Sequence, residues 1–78
     1  MISRYSKQAE KFLDKQSDTV FNRIITAVDK LPEGDVRKMA GYKDLYRLRV
    51  GKFRILYKME SGNVFVDKIE SRGQAYKD

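Results

Sequence analysis

The chain has 78 residues, 17 of them basic and 11 acidic, with no cysteine and no histidine, so one small domain spanning 1–78 is expected and disulfides, thiolate metal sites, a thiol nucleophile and a histidine acid/base are all excluded. Any catalysis must rest on Arg, Lys, Tyr or carboxylates, and no cofactor or metal is implied. No apolar run approaches a membrane span and the N-terminus lacks a signal-peptide pattern, which leads to the expectation of a soluble cytoplasmic protein with no membrane partner.

The net charge of +6 is unevenly spread. Residues 1–41 carry eight basic against six acidic residues and 59–78 carry three against four, whereas Tyr42 to Lys58 holds six basic residues and one acid. Such a local excess points to a polyanion or an acidic protein as partner, with a merely solvated basic surface as the other reading.

In chain order, Ile2 and Arg4 alternate with Ser3 and Tyr5, a pattern able to add one strand to a sheet. Ser6 is a plausible N-cap, followed by Ala9, Phe12, Leu13 and Gln16 at helical spacing. Ser17-Asp18 marks a second cap. Val20, Phe21, Ile24, Ile25, Val28 and Leu31 then form a stripe of helical period, stopped by Pro32 and a Glu33-Gly34-Asp35 turn. The two helices are expected to pack antiparallel on one face of a sheet, with Phe12, Phe21 and Ile24 in the core. Val36 to Lys43 fits neither period and contains Gly41, so it reads as a loop, from which Lys38 could reach a basic face.

Leu45 to Tyr57, LYRLRVGKFRILY, alternates apolar and cationic residues on both sides of Gly51-Lys52. That is a β-hairpin pattern with a two-residue type II′ turn, which pairs Val50 with Phe53, Leu48 with Ile55 and Tyr46 with Tyr57 on an apolar face. The same register sets Arg49 opposite Arg54 on the other face, with Arg47 two residues along. Like charges placed opposite one another are unfavourable, and such a breach of a local rule is expected where function outweighs stability. Three guanidiniums on one sheet face would grip phosphates well.

A last strand, Val64 to Ser71, follows the Ser61-Gly62-Asn63 turn. A three-residue loop pairs Glu60 with Val64, Ile55 with Ile69 and Arg54 with Glu70, putting Phe65 and Ile69 on the apolar face and Arg72 with the arginines. It also turns Asp67 inward near Tyr57, so a two-residue loop stays open as the alternative.

Two motifs, LYRLRVGKFRILY and IESRGQAY, together resemble the RelE/ParE superfamily of toxins from bacterial and archaeal toxin–antitoxin operons. The resemblance covers the whole chain and implies an α+β fold, a helix pair on one face of a small antiparallel sheet. RelE-like members cut mRNA in the ribosomal A site, and ParE-like members poison DNA gyrase without cutting anything themselves. Both are silenced by an antitoxin, so the resemblance implies an acidic cognate antitoxin as partner, a heterotetramer as one form of that assembly, and a bacterial or archaeal cytoplasm. A degenerate toxin that only binds its antitoxin is a third reading.

Carried over residue by residue, the ribonuclease reading names Arg54, Arg72, Tyr76 and Glu70 as catalytic candidates, and Arg47, Arg49, Lys52 and Lys38 as RNA or phosphate contacts. A ribose 2′-OH would attack the adjacent phosphodiester, leaving a cyclic phosphate and a 5′-OH. This needs a base, charge stabilisation in the transition state and an acid. Arg54 and Arg72 suit the stabilising role. Many RelE-like toxins carry lysine where this chain has Arg47 and Arg49, and arginine does not give up its proton, so the base is left between Glu70 and Lys52. Tyr76 would stack on an RNA base or join the proton transfers; otherwise it is a tail residue without a role.

Overall fold

The computed structural model describes residues 2–71. Five strands, β1 (Ser3–Tyr5), β2 (Asp35–Lys38), β3 (Leu45–Val50), β4 (Phe53–Glu60) and β5 (Asn63–Ser71), form one sheet in the order β1-β5-β4-β3-β2. All neighbours are antiparallel except β1 and β5, which run parallel. Two helices, α1 (Lys7–Asp14) and α2 (Asp18–Asp29), cover one face. The expected α+β architecture is therefore present, with α1 lying on β5 and β1 and α2 on β3.

Each helix begins where a serine can satisfy orphan amides. Ser6 Oγ accepts from Ala9 N at 3.1 Å and Ser17 Oγ from Val20 N at 3.2 Å. Behind the caps, Ala9, Leu13, Ile24, Val28 and Leu31 are buried against Leu48, Val50, Phe53, Ile55, Tyr57, Val64, Val66 and Ile69 of the sheet. Phe12 meets Phe53 edge to face with centroids 5.9 Å apart, and Tyr46 stacks on Tyr57 at 5.5 Å. Phe21, expected in the core, is 38% exposed instead. The α2 stripe is wider than the sheet needs, so Ile24 and Val28 take the buried side while Phe21 turns outward.

The hairpin has the expected register, with Val50 opposite Phe53, Leu48 opposite Ile55, Tyr46 opposite Tyr57 and Arg49 opposite Arg54. Gly51 has φ +57°, while Ser61 is the only non-glycine residue of positive φ among those described, as a type II′ turn requires.

The next turn differs from the expected three-residue loop. Glu60 pairs with Asn63 across Ser61-Gly62, whose φ angles of +52° and +79° suit a type I′ turn. Farther on, Ile55 still pairs with Ile69 and Arg54 with Glu70. A β-bulge absorbs the difference: Tyr57 pairs with Val66 and Leu56 with Lys68, so Asp67 has no partner on β4. The bulge switches the parity of β5. Val64 and Val66 face the helices before it and Ile69 after it, whereas Phe65 points to the other face and Asp67, expected inward near Tyr57, is exposed.

The loop expected from Val36 to Lys43 begins as a strand. Val36 pairs with Leu48 and half-buries its side chain, and the flanking Asp35, Arg37 and Lys38 are the charges an edge strand commonly carries. At the opposite edge, β1 pairs only with Val64 to Val66 of β5, and the backbone beyond is closed by side chains. Ser6 Oγ donates to the Asp67 carbonyl, and Gln8 exchanges two hydrogen bonds with the Ile69 backbone at 3.1 and 3.2 Å. Ser6 thus ties the start of α1 to the bulge, and Gln8 stands in for a missing strand residue.

Candidate functional site

Alternation in β3 and β4 leaves Arg47, Arg49, Arg54, Leu56 and Lys58 on the face away from the helices. Register then builds rows across the strands. The central one runs Asp35, Arg49, Arg54, Glu70 from β2 to β5, so the opposed arginines are bracketed by an acid at each end. Arg54 donates from Nε at 3.0 Å and from Nη2 at 2.6 Å to Glu70 Oε1, and Lys68 Nζ lies 3.3 Å from Oε2. Burial pushes the Glu70 carboxyl up, but hydrogen bonds from Arg54 and Lys68, together with their charges, outweigh it and hold the group below its ordinary value. Glu70 is therefore an occupied carboxylate, both oxygens engaged by cations.

The adjoining row holds Arg37, Arg47, Leu56 and Lys68. Arg47 is only 9% exposed, against the expectation of an open guanidinium. Its Nη2 reaches Asp35 Oδ1 at 3.4 Å, and its buried Nε has no hydrogen-bond partner among the described residues. Arg49 is exposed. Lys52, at the tip of the turn, sits 5.6 Å from the centroid of the Phe53 ring. Lys38 pairs with Tyr46, so it falls on the helix side of the edge strand and not on the arginine face. Arg72 and Tyr76 lie outside the described residues.

The face thus brings together Arg47, Arg49, Arg54 and Glu70. Further cations were not singled out from the sequence, among them Lys58 and Lys68 of the same face. Arg37 follows from recognising β2 as a strand paired with β3, and Arg4 from the β1–β5 register, which sets it beside Phe65. Arg23 of α2 carries no such signal: its guanidinium lies over the turn, where a Cβ on Gly51 would come within 2.9 Å of Nη2. Between α2 and the β2–β3 edge runs a cleft of about 660 Å³ bordered by Arg23, Leu48, Arg49 and Val50. Chemically, the open face offers a held arginine beside an exposed one, which suits a phosphate bearing developing negative charge.

Comparison with known proteins agrees with this architecture. No curated protein matches the sequence. Among solved structures, the fold is similar to the RelB–RelE antitoxin–toxin complex of Methanococcus jannaschii (TM-score 0.78, 21% identity, 94% of each chain covered). It is similar also to the archaeal RelE–RelB complex of Pyrococcus horikoshii OT3 (TM-score 0.76, 25% identity, 94% of this chain and 96% of that one). The E. coli RelBE toxin–antitoxin complex aligns with a TM-score of 0.70 at 22% identity, over 90% of this chain and 94% of that one. The family model for the ParE toxin of the type II toxin-antitoxin system parDE matches residues 3–76. With nearly its whole length matched by that model and its sheet and helices superposing on RelE toxins, the chain belongs to the RelE/ParE superfamily of toxins of type II toxin–antitoxin systems.

Proposed function

We propose that this toxin is a ribosome-dependent mRNA endoribonuclease that stops translation in the cytoplasm. The observation that carries the reading is the central row, in which Arg54 is oriented by Glu70 directly opposite the exposed Arg49. Opposed guanidiniums are unfavourable alone and favourable with an anion between them. In the proposed reaction the ribose 2′-oxygen bonds to the adjacent phosphorus while the bond to the 5′-oxygen breaks. The 2′-OH proton leaves to a base and the 5′-oxygen gains one from an acid. Arg49 and Arg54 stabilise the charge that builds on the non-bridging oxygens, and Arg47 adds a fixed positive charge behind them. Glu70, held low by its two cations, serves to aim Arg54 and is a weak candidate for the base. By the resemblance, Arg72 adds charge stabilisation and Tyr76 stacks on a base or joins the proton transfers.

The same reading assigns an acidic antitoxin segment to the basic face as inhibitor, in keeping with the RelE chains above, which are in complex with RelB. Such binding would weaken with salt as steering and rim contacts are screened. A gyrase poison is the second reading, favoured by the name of the matching family model. The experiment that separates them measures cleavage of mRNA on programmed ribosomes and gyrase-mediated DNA breakage, for wild type and Arg54→Ala together. The ribonuclease reading expects wild type to cut mRNA, Arg54→Ala to cut it roughly two to three orders of magnitude more slowly, and neither to break DNA through gyrase. Intact mRNA alongside trapped, broken gyrase complexes would overturn it.

A further inference from the structure

At the end of the open face remote from the Gly51 turn, the registers of β1, β5 and β4 place Arg4, Phe65 and Lys58 in one row. Phe65 is 40% exposed although its neighbours Val64 and Val66 are fully buried, because the bulge at Asp67 commits those two to the core and leaves the ring outside. Arg4 and Lys58 are exposed on either side of it. Around the ring lies a cleft of about 410 Å³, lined also by Ile2 and Asn63, with Glu60 as the one acid among its described lining residues. That volume falls within the range of small-ligand sites.

We propose that this row is a second nucleic-acid subsite, in which a base of single-stranded RNA stacks on Phe65 while its flanking phosphates meet Arg4 and Lys58. An exposed aromatic ring between cations is the combination by which proteins hold single strands without reading their sequence. The row shares its face with Arg49 and Arg54. Lys58 follows Arg54 by four residues on one strand, about 13 Å at the usual rise, so a strand crossing the arginines would continue over Phe65. The subsite rests on the reading of the open face as RNA-binding. It would hold the transcript away from the scissile bond, contributing affinity and no chemistry.

The test is fluorescence anisotropy of a short labelled single-stranded RNA with 2′-O-methyl riboses, which cannot be cut, titrated with the full chain. Phe65→Leu keeps an apolar side chain but loses the stacking face; Phe65→Tyr keeps both. Phe65→Leu is expected to weaken binding about fivefold or more, with Phe65→Tyr close to wild type. Changing Arg4 and Lys58 together to Gln should reduce the slope of log affinity against log salt by about 1.4, the single-strand value for two phosphate contacts. Equal affinity for Phe65→Leu and wild type would overturn the proposal. Cleavage on ribosomes is assayed separately. A wild type that binds through Phe65 yet never cuts retires the ribonuclease reading and keeps the subsite, and a wild type that cuts while Phe65→Leu binds normally does the reverse.

Discussion

Arg54 sets both its Nε and its Nη2 on one oxygen of Glu70, at 3.0 and 2.6 Å, while facing Arg49 across the neighbouring strand. The row is thereby neutral in sum, acid-base-base-acid, although its centre is strongly cationic. Interactions of this kind at a partly buried site contribute modestly, because the carboxylate loses hydration on pairing and residual solvent screens the charges. Their main effect is positional: a guanidinium with two bonds to one partner keeps its orientation when the neighbouring anion leaves.

The pH dependence of stability should report this pairing. Glu70 is held below its ordinary value of 4.5, so the folded state binds its proton less readily than the unfolded chain does. The stabilisation is then fully present above the unfolded value and is lost as pH falls through the folded one. Acid unfolding of wild type and Glu70→Gln, followed by circular dichroism, should show wild type losing stability more steeply below about pH 4.5, with the curves parallel above it. Parallel curves throughout the acid range would show the pairing to be energetically silent.

Much of this was legible beforehand, and the failures share a cause. The two helices, their serine caps and the register of the first hairpin follow from local periodicity and turn chemistry, which act over a few residues. What was hidden depends on pairing between distant parts of the chain. β2 has one apolar residue, Val36, and becomes a strand only because β3 offers an edge. The bulge was written into β5 as a spacing of two between Val64 and Val66 and three between Val66 and Ile69, a break in alternation that no single uninterrupted register accommodates. A single register run through that break keeps the Arg54–Glu70 pairing but turns Phe65 to the helix face, whereas the bulge leaves it outside. Nothing local could announce that Arg47 would be buried while Arg49, two residues on, stays exposed.

Arg47 leads to a prediction about stability. A buried Nε without a partner among the described residues and a contact of 3.4 Å to an acid that is itself 57% exposed make a poorly compensated charge. Arg47→Met should fold with unchanged or higher thermal stability, by up to about 1–4 kcal/mol, the range seen when buried ion pairs are replaced by apolar side chains. Asp35→Asn should alter stability by less than about 1 kcal/mol. A loss of more than about 3 kcal/mol in Arg47→Met would make this arginine structural and remove it from the phosphate site.

The turn between β3 and β4 gives a sharper steric case. At φ +57°, a Cβ on residue 51 meets both backbone strain and the Arg23 guanidinium at 2.9 Å. The guanidinium is the far end of a flexible side chain and can move, so strain should dominate. Gly51→Ala is expected to cost about 1–2 kcal/mol, and Gly51→Asn less, since Asn tolerates this region better. Chemical denaturation of both variants measures the difference; equal costs would mean that Arg23, and not the backbone, sets the penalty.

Tyr5 should govern the alkaline limb. Burial, and secondarily the negative charge of Asp29, raises its phenol from 10.0 to about 12, and its hydroxyl is buried without a hydrogen-bond partner among the described residues. The folded state therefore keeps this proton while the unfolded chain gives it up, so stability contributed below pH 10 is lost as pH rises from about 10 to 12. Tyr5→Phe removes the group and should flatten that loss. It should also leave neutral-pH stability the same or raise it, because an unsatisfied buried hydroxyl costs about 1–3 kcal/mol. Tyrosinate absorbance tracks the titration, and a wild type with every tyrosine titrating near 10 would refute the assignment.

The role of Glu70 in the proposed reaction can be separated from its role in the fold. If it withdrew the 2′-OH proton, Glu70→Gln would abolish cleavage and erase the acid limb of the pH–rate profile, since the amide cannot accept a proton in that range. The geometry favours the other outcome. Both carboxylate oxygens are engaged, by Arg54 and by Lys68, and a carboxyl held below its ordinary value is a weak base near neutrality. A glutamine can still accept from Arg54 through its carbonyl oxygen. Glu70→Gln is therefore expected to slow single-turnover cleavage by about tenfold or less, the equivalent of roughly one misaligned hydrogen bond, with the shape of the pH profile kept. Glu70→Ala, which leaves Arg54 without that anchor, should lose more and approach the Arg54→Ala rate. A Glu70→Gln variant as inactive as Arg54→Ala, with its acid limb gone, would reinstate Glu70 as the base and leave the aiming of Arg54 to other contacts.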